Sequence, residues 1–412
     1  MAEQPDVIVI GAGVSGLSTA LQLARRGRRV VVLERGALAS GATSRASGLL
    51  GQLRGTLESS RMQVESLRTL LELAREAGAD LFRQSGSLRV AWTPTRAAEL
   101  ERTRAMAAEA GLECRALTAA EAARLAPCMR TDDLLAACFF PTDGYLNPPE
   151  VARLYNRLGE RAGVEYRPHT PVEAIRTRNG RVTGCRAGGR EVEAPVVVNA
   201  SGPWSHLLAD LAAQPLPTTG IGHCYLTAAP DPPLDPGMAT VRDRELRLYS
   251  RPTREGGLHV GIYEATPVAF DMRALPGDFR MQEMGTERFT AVLPHLLEAA
   301  RRRFPFLSGS VPLRYTTGIM SWSPDGLPLC GVLPGVEGLY HCAGFCGHGV
   351  MQSAAIGLLM ADLILDGSWR YDPVELEADR CVEWDDLHDH AAVTERCRVA
   401  YATCYGHPYP QG

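Results

Sequence analysis

Lysine is absent: all 43 basic residues in the 412-residue chain are arginine. No ε-ammonium can therefore form a Schiff base or place a compact positive charge in a site. Eleven cysteines are present but none stands in a CxxC pair. Scattered and odd in number, they predict reduced thiols in a cytoplasmic protein rather than a disulfide framework. No apolar run reaches the ~18 residues that cross a bilayer, and no leader pattern precedes the first strand. A net charge of −4 leaves no basic footprint for nucleic acid. With 45% hydrophobic residues the chain is expected to be soluble and globular, with neither membrane nor nucleic acid as partner. Its length predicts two or three domains at roughly 150 residues each.

What is present begins at once. Val7-Ile8-Val9-Ile10 reads as a buried parallel strand and runs into Gly11-Ala12-Gly13-Val14-Ser15-Gly16. Gly11 permits a tight turn, Gly13 lets backbone approach a pyrophosphate, and Gly16 lets the following helix sit on the strand. That helix, Leu17 to Arg26, aims its N-terminal amides at the phosphates. A second strand, Arg29 to Leu33, ends in Glu34, where a carboxylate takes ribose hydroxyls and argues against a 2′-phosphate. The pattern predicts a dinucleotide site of the Rossmann type without separating FAD from NAD.

Ser40 to Gly48 is small and polar, able to lie against a flat ring. Helical patterns cover Gln63–Ala77, Pro94–Ala110 and Ala119–Leu125, with Glu99 and Glu101 assigned to a solvated face, and Gly86–Trp92 alternates like a strand. No residue between Leu49 and Leu125 signals chemistry. From Asp143-Gly144 a second unit brings the helix Pro149–Ala162, strands 164–167 and 172–177, and an Asn179-Gly180 hairpin into 181–187. Val196 to Gly202 is another buried strand meeting glycine, followed by a helix over Pro203–Leu211. Strands 247–252 and 257–261 read as antiparallel, and Arg280–Arg303 as helical with a break at Pro294. Gly338 to Met351 carries a last strand into glycines, opening the apolar helix Gln352–Leu365. Beyond Gly367 no core pattern is evident.

Four stretches, in order, carry a family likeness: Val9–Gly16 with Glu34; Asp143-Gly144 with Val198–Ser205; Tyr249–Gly261; and Ser323-Pro324-Asp325-Gly326 with Gly344–Gly349. Together they resemble the D-amino-acid oxidase, glycine oxidase and sarcosine oxidase family of flavoenzymes. His407-Pro408-Tyr409-Pro410 is similar to the segment ending the flavin domain of dimethylglycine dehydrogenases. The resemblance implies an α/β fold: a Rossmann-like FAD-binding domain over 1–85, 142–218 and 310–370, and a discontinuous substrate domain on an antiparallel sheet over 86–141 and 219–309. Residues 371–412 form a C-terminal extension. It implies oxidation of a C–N bond in an amino acid or a secondary or N-methylated amine to an imine, with reoxidation by oxygen or an electron carrier. A ring-forming oxidase, in which an internal nucleophile captures the imine, and a non-catalytic FAD-binding accessory subunit are the alternatives.

Residue by residue, the resemblance assigns Gly11, Gly13, Val14, Ser15, Gly16, Glu34 and Arg35 to the adenosine diphosphate half, with Val172 beside the adenine. Thr43, Ser44 and Arg45 fall beside the flavin ring, Ala200 and Gly202 at the returning strand, and Gly344, Gly347, His348, Gly349, Val350 and Met351 at the helix end near the pyrimidine. Where sarcosine oxidases have a tethering cysteine this chain has Gly318, and where dimethylglycine dehydrogenases have a tethering histidine it has Arg45, so FAD is expected to be non-covalent. The lysine that promotes oxygen reactivity in sarcosine oxidases corresponds to His259, able to stand in only while protonated. Arg54 is the candidate for a substrate carboxylate, Tyr249 a substrate-side tyrosine, and Met320 replaces the glycine-oxidase arginine. His259, His348 and Tyr249 are the candidate catalytic residues. His388, His390, Cys397, Cys404 and His407 fit no zinc spacing, and no metal is expected.

Overall fold

The computed structural model describes residues 4–370, 375–384 and 386–404. Three parallel four-residue strands centre it. Val7–Ile10 lies between Val30–Leu33 and Val196–Asn199, in register Val7 with Val30 and with Val196. Glu165–Arg167 extends one edge, and Leu339–Ala343 then Leu329–Val332 extend the other, giving six strands. All four residues of Val7–Ile10 are buried, as strands covered on both faces require.

The helix Val14–Arg25 covers one face and crosses the helix Gly349–Asp366, close enough that a Cβ on Gly357 would meet Ser18 Oγ at 2.2 Å. Gly349–Asp366 is long and apolar enough to cross a membrane, although Gln352, Ser353 and Asp362 interrupt any strictly apolar run. Here it is a core helix: Met351 to Gly357 are all buried, and it also packs on the helix Leu57–Glu76.

The second sheet has nine strands. Its order runs Ala269–Phe270, Thr219–Ala228, Leu258–Ile262, Leu248–Pro252, Thr240–Asp243, Ser87–Ala91, Ala136–Phe140, Arg115–Leu117, with Leu313–Trp322 paired along Thr219–Ala228. That last pairing departs from the expected boundary, which assigned residues from 310 onward to the first domain. Ten consecutive partners, Thr219 with Trp322 through Ala228 with Leu313, tie this strand to the large sheet instead. One face of the sheet buries Leu226, Val241, Leu258 and Val260 under the helix Leu293–Arg303. Pro294 lies in that helix's first turn, so it opens the helix and does not break one; two 3-10 turns precede it.

The extension does have a core pattern. In the helix His390–Thr403, Val393, Cys397 and Tyr401, four apart, are buried against Trp322 and Tyr263. His407 and the likeness over 407–410 lie outside the described residues.

Candidate active site

The turn after the first strand is built by close approach. Gly11 has φ +112°, and a Cβ there would sit 2.4 Å from the Ala200 carbonyl oxygen. A Cβ on Gly16 would lie 2.1 Å from Gly11 O, so only glycine lets the helix seat on the turn. Glu34 accepts from the Ala12 N–H at 2.9 Å and the Gly36 N–H at 2.8 Å, which fixes its carboxylate beside the turn. Thr170 N–H donates to Glu34 O at 2.8 Å, bringing Val172 to the same end of the sheet. The helix over Ser15 and Gly16 has Gly13 as N-cap with no side-chain cap, and Thr43 Oγ1 accepts from Val14 N–H at 3.2 Å. Uncapped amides beside a glycine are the donor set a pyrophosphate takes. Arg35 lies over the Trp204 ring at 3.7 Å, and Gly202 (φ +59°) opens the short turn bearing that tryptophan.

The loop over Thr43, Ser44 and Arg45 leans on the long strand of the second sheet. Arg45 Nε donates to Thr317 O at 2.8 Å, and Ser44 Oγ to Gly41 O at 3.0 Å. Opposite, the helix Gly349–Asp366 starts at His348 without a side-chain cap. Gly347 (φ +80°) is flanked by Met320 and Tyr263: a Cβ there would be 3.2 Å from Met320 Sδ and 2.9 Å from Tyr263 Oη. Gly344 N–H donates to Ser321 Oγ at 3.1 Å, Gly349 sits against Phe345, and the Met351 carbonyl, one residue beyond Val350, accepts from Gln63 and Ser66. The uncapped amides, glycine turn and ring-facing loop fit FAD.

Beside His348 is a cavity of about 90 Å³ lined by Arg54, Arg89, Arg96, Arg242, Arg244 and Glu99, with Leu53, Leu100 and Cys404. Glu99 pairs with Arg96 at 2.7 Å, with its side chain only 5% exposed. The expectation of a solvated Glu99 is therefore wrong: the helix Pro94–Glu109 turns Glu99 inward, where Arg96, one turn earlier, meets it. Burial, and then Arg54 and Arg242, hold the His348 pKa well below its usual value, so the ring is neutral at neutral pH.

Residues 6–363 match the profile of the family described as FAD dependent oxidoreductase. The chain belongs to that family. Over 414 residues it is 29% identical to mitochondrial sarcosine dehydrogenase of Homo sapiens, covering 98% of this chain and 44% of that protein. It thus spans less than half the length of the sarcosine and dimethylglycine dehydrogenases it matches. Glycine oxidase of Geobacillus kaustophilus is 29% identical over 374 residues, 88% of this chain and 94% of that one. Its crystal structure superposes with TM-score 0.78 at 25% identity, covering 92% and 99%. That of L-proline dehydrogenase from P. horikoshii gives 0.83 at 24% identity over 92% and 98%, a likeness of fold. As an FAD-dependent oxidoreductase the chain holds FAD, and the turn at Gly11–Gly16, Glu34, the 43–45 loop and the His348 helix end are the groups that would hold it.

The fold brings Arg54 and His348 into one cavity but keeps His259 outside its lining. His259 stacks on Tyr225 at 5.1 Å, and burial, with Arg251 and Arg314, pushes its pKa down to about 3. Neutral His259 cannot replace the lysine charge; Arg251 and Arg314 carry the positive charge on that face. Tyr249 and Met320 fall in a neighbouring aromatic cluster with Tyr263, Trp322 and Tyr401. Sequence reading missed Arg242 and Arg244, whose alternation about Asp243 was the available signal, and Tyr401, whose helical spacing with Val393 and Cys397 was another; His223 and Glu264 carried none.

Proposed function

We propose that this flavoprotein oxidises the C–N bond of an amine that also bears a carboxylate, an amino acid or its N-alkylated derivative, to the imine. The observation that carries the reading is the cavity at His348, whose lining among the described residues includes Arg54, Arg89, Arg96, Arg242 and Arg244. Guanidinium forks bind carboxylates in paired hydrogen bonds, and no lysine competes for the role. Bound FAD supplies the two-electron acceptor. The protein's own part is to hold the carboxylate at Arg54 and Arg242, to keep water from the buried aromatic side, and to receive the amine's proton. The names sarcosine dehydrogenase and glycine oxidase of the relatives support small N-methylated or free amino acids as the substrate class.

FAD is taken to be non-covalent, since Gly318 and Arg45 offer no tether. Reoxidation is by oxygen or an electron carrier, and eleven free thiols support a reducing cytoplasm as the setting. The test is anaerobic mixing of the yellow protein with sarcosine, N,N-dimethylglycine, glycine and L-proline. Bleaching by at least one is expected, and its recolouring rate in air separates the acceptors. A flavin that none of them bleaches would overturn the reading.

A further inference from the structure

Four polar side chains form an unbroken buried line from the sheet to the C-terminal helix. Tyr249 Oη lies 2.7 Å from His223 Nε2, His223 Nδ1 lies 2.7 Å from Tyr401 Oη, and Tyr401 donates to Glu264 Oε2 at 2.6 Å. Tyr401 and Glu264 lie beyond or outside the stretches that carry the likeness, and Tyr401 lies past the span of the family match. At the other end, Tyr249 stands directly opposite Arg242 in the antiparallel ladder. Directly opposed side chains share a face, about 5 Å apart at Cβ, so Arg242 of the cavity lining is the strand neighbour of Tyr249, whose hydroxyl lies over Gly261 on the next strand.

We propose that Glu264, reached from Tyr249 through His223 and Tyr401, is the terminal acceptor of the proton that the substrate ammonium loses before oxidation. The inference rests on the amine-oxidising reading above. An amine of pKa about 8–10 arrives protonated at neutral pH, and its nitrogen lone pair must be freed before the C–N bond can become an imine.

The direction of each hydrogen follows from the inventory of donors. The Tyr401 hydroxyl has one hydrogen and gives it to Glu264, so it accepts from His223 Nδ1–H. A neutral imidazole has one N–H, so His223 Nε2 is bare and accepts from Tyr249. The Tyr249 oxygen, having given its one hydrogen to Nε2, keeps lone pairs that can accept. When an ammonium proton reaches that oxygen, the tyrosine hydrogen passes to Nε2, the Nδ1 hydrogen to Tyr401, and the Tyr401 hydrogen to Glu264. One substrate N–H bond breaks and one carboxyl O–H forms. Both tyrosines and the histidine end neutral, with the line reversed, and no electrons move.

The acceptor is suited to the task. Glu264 is 6% exposed and its Oε1 is buried without a hydrogen-bond partner among the described residues. Burial pushes its pKa up to about 7, opposed by the Tyr401 hydrogen bond, so it can take and release a proton near neutrality. His223, pushed down to about 4 by burial, passes the proton without keeping it. The groups around the line are the hydroxyl of Tyr263, the Cys224 thiol, which burial and Glu264 push up to about 12, and Arg247, whose Nη1 holds the Ala402 carbonyl at 2.8 Å.

The test uses holoenzyme of wild type, Glu264→Gln and Tyr401→Phe. At rest, infrared pH titration should show a carboxylic-acid band lost with a midpoint near pH 7. The band should be missing in E264Q and shifted to higher pH in Y401F, which removes the opposing hydrogen bond. With sarcosine, N,N-dimethylglycine and L-proline as probes, anaerobic bleaching in both variants should slow about 10-fold or more at neutral pH with KM little changed. It should recover toward wild type near pH 10, where the amine arrives neutral. Variants that keep the wild-type pH profile, or a wild type without the band, would overturn the relay while leaving amine oxidation standing. Failure of every probe to bleach wild type, with the band present, would instead overturn the amine reading and with it the proton this line is proposed to carry.

Discussion

Arg45 and Gly318 face each other across the junction of the early loop and the long strand: a Cβ at Gly318 would sit 2.8 Å from Arg45 Cβ. These are the two positions at which the resemblance places a flavin tether, one for each kind of relative, and the fold brings them to a single spot. Glycine offers no side chain, and a guanidinium that stays protonated is no nucleophile. Acid precipitation should therefore leave the yellow colour in the supernatant. A yellow pellet would show a covalent bond through some other residue.

Arg54→Met and Arg242→Met each remove one guanidinium from the cavity wall. A charge-assisted hydrogen bond contributes about 1.5–3 kcal/mol, so KM for a carboxylate-bearing substrate should rise roughly 10- to 100-fold. Steady-state kinetics at fixed pH measures it. A KM equal to wild type would take that arginine out of the binding site.

Arg303 and Asp243 form an ion pair at 2.8 Å with both side chains fully buried, and Arg303 also reaches Asp133 at 2.9 Å. Arg303→Met would leave the buried Asp243 carboxylate without its ion-pair partner, held by the Trp92 indole N–H and the Leu246 N–H. Breaking such a pair costs about 3–5 kcal/mol, and the urea midpoint should fall accordingly. Thermal or urea curves superimposable on wild type would refute it.

His341 lies in the first sheet between Asn199 Nδ2 at 3.2 Å and Gln214 Oε1 at 2.9 Å, and burial pushes its pKa down to about 3. The unfolded chain binds a proton here near pH 6.5 that the folded chain refuses. Its share of stability is thus complete above pH 6.5 and is lost as pH falls toward 3, at about 1.4 kcal/mol per unit. Unfolding followed at pH 7.5 and pH 5 should show the decline, and His341→Gln should flatten it. An equal slope in the variant would assign the pH dependence elsewhere.

The parts legible in the sequence are those whose cause is local. Val7 to Glu34 is one strand, turn, helix and strand, and Gly11 and Gly16 meet their obstacles within that unit or on the adjoining Ala200. The helix Ala119–Leu125 has the bounds its pattern gave because Thr118 and Glu121 close a capping box around its first turn. The arginine cavity was not legible, since it exists only where Thr240–Asp243 pairs with Ser87–Val90 and the 54 and 348 loops close over them. The stripe Val393, Cys397, Tyr401 has helical spacing, but a thiol and a phenol are weak apolar markers, and the extension read as featureless. His223 alternates within a strand of buried neighbours, where one more polar residue carries no spacing to notice.

The order in which the chain is made bears on how the site comes together. Val7 finds Val30 almost at once but must wait for Val196 before it has a neighbour on its other side. Tyr401, which bridges His223 and Glu264, is among the last described residues to be synthesised. On a ribosome, then, the nucleotide turn is half built early, its sheet gains its last two strands only with residues 329–343, and the buried polar line is joined later still. The nucleotide turn and the buried polar line thus draw on opposite ends of the described residues, and a chain cut before the helix His390–Thr403 lacks the partner that His223 and Glu264 share.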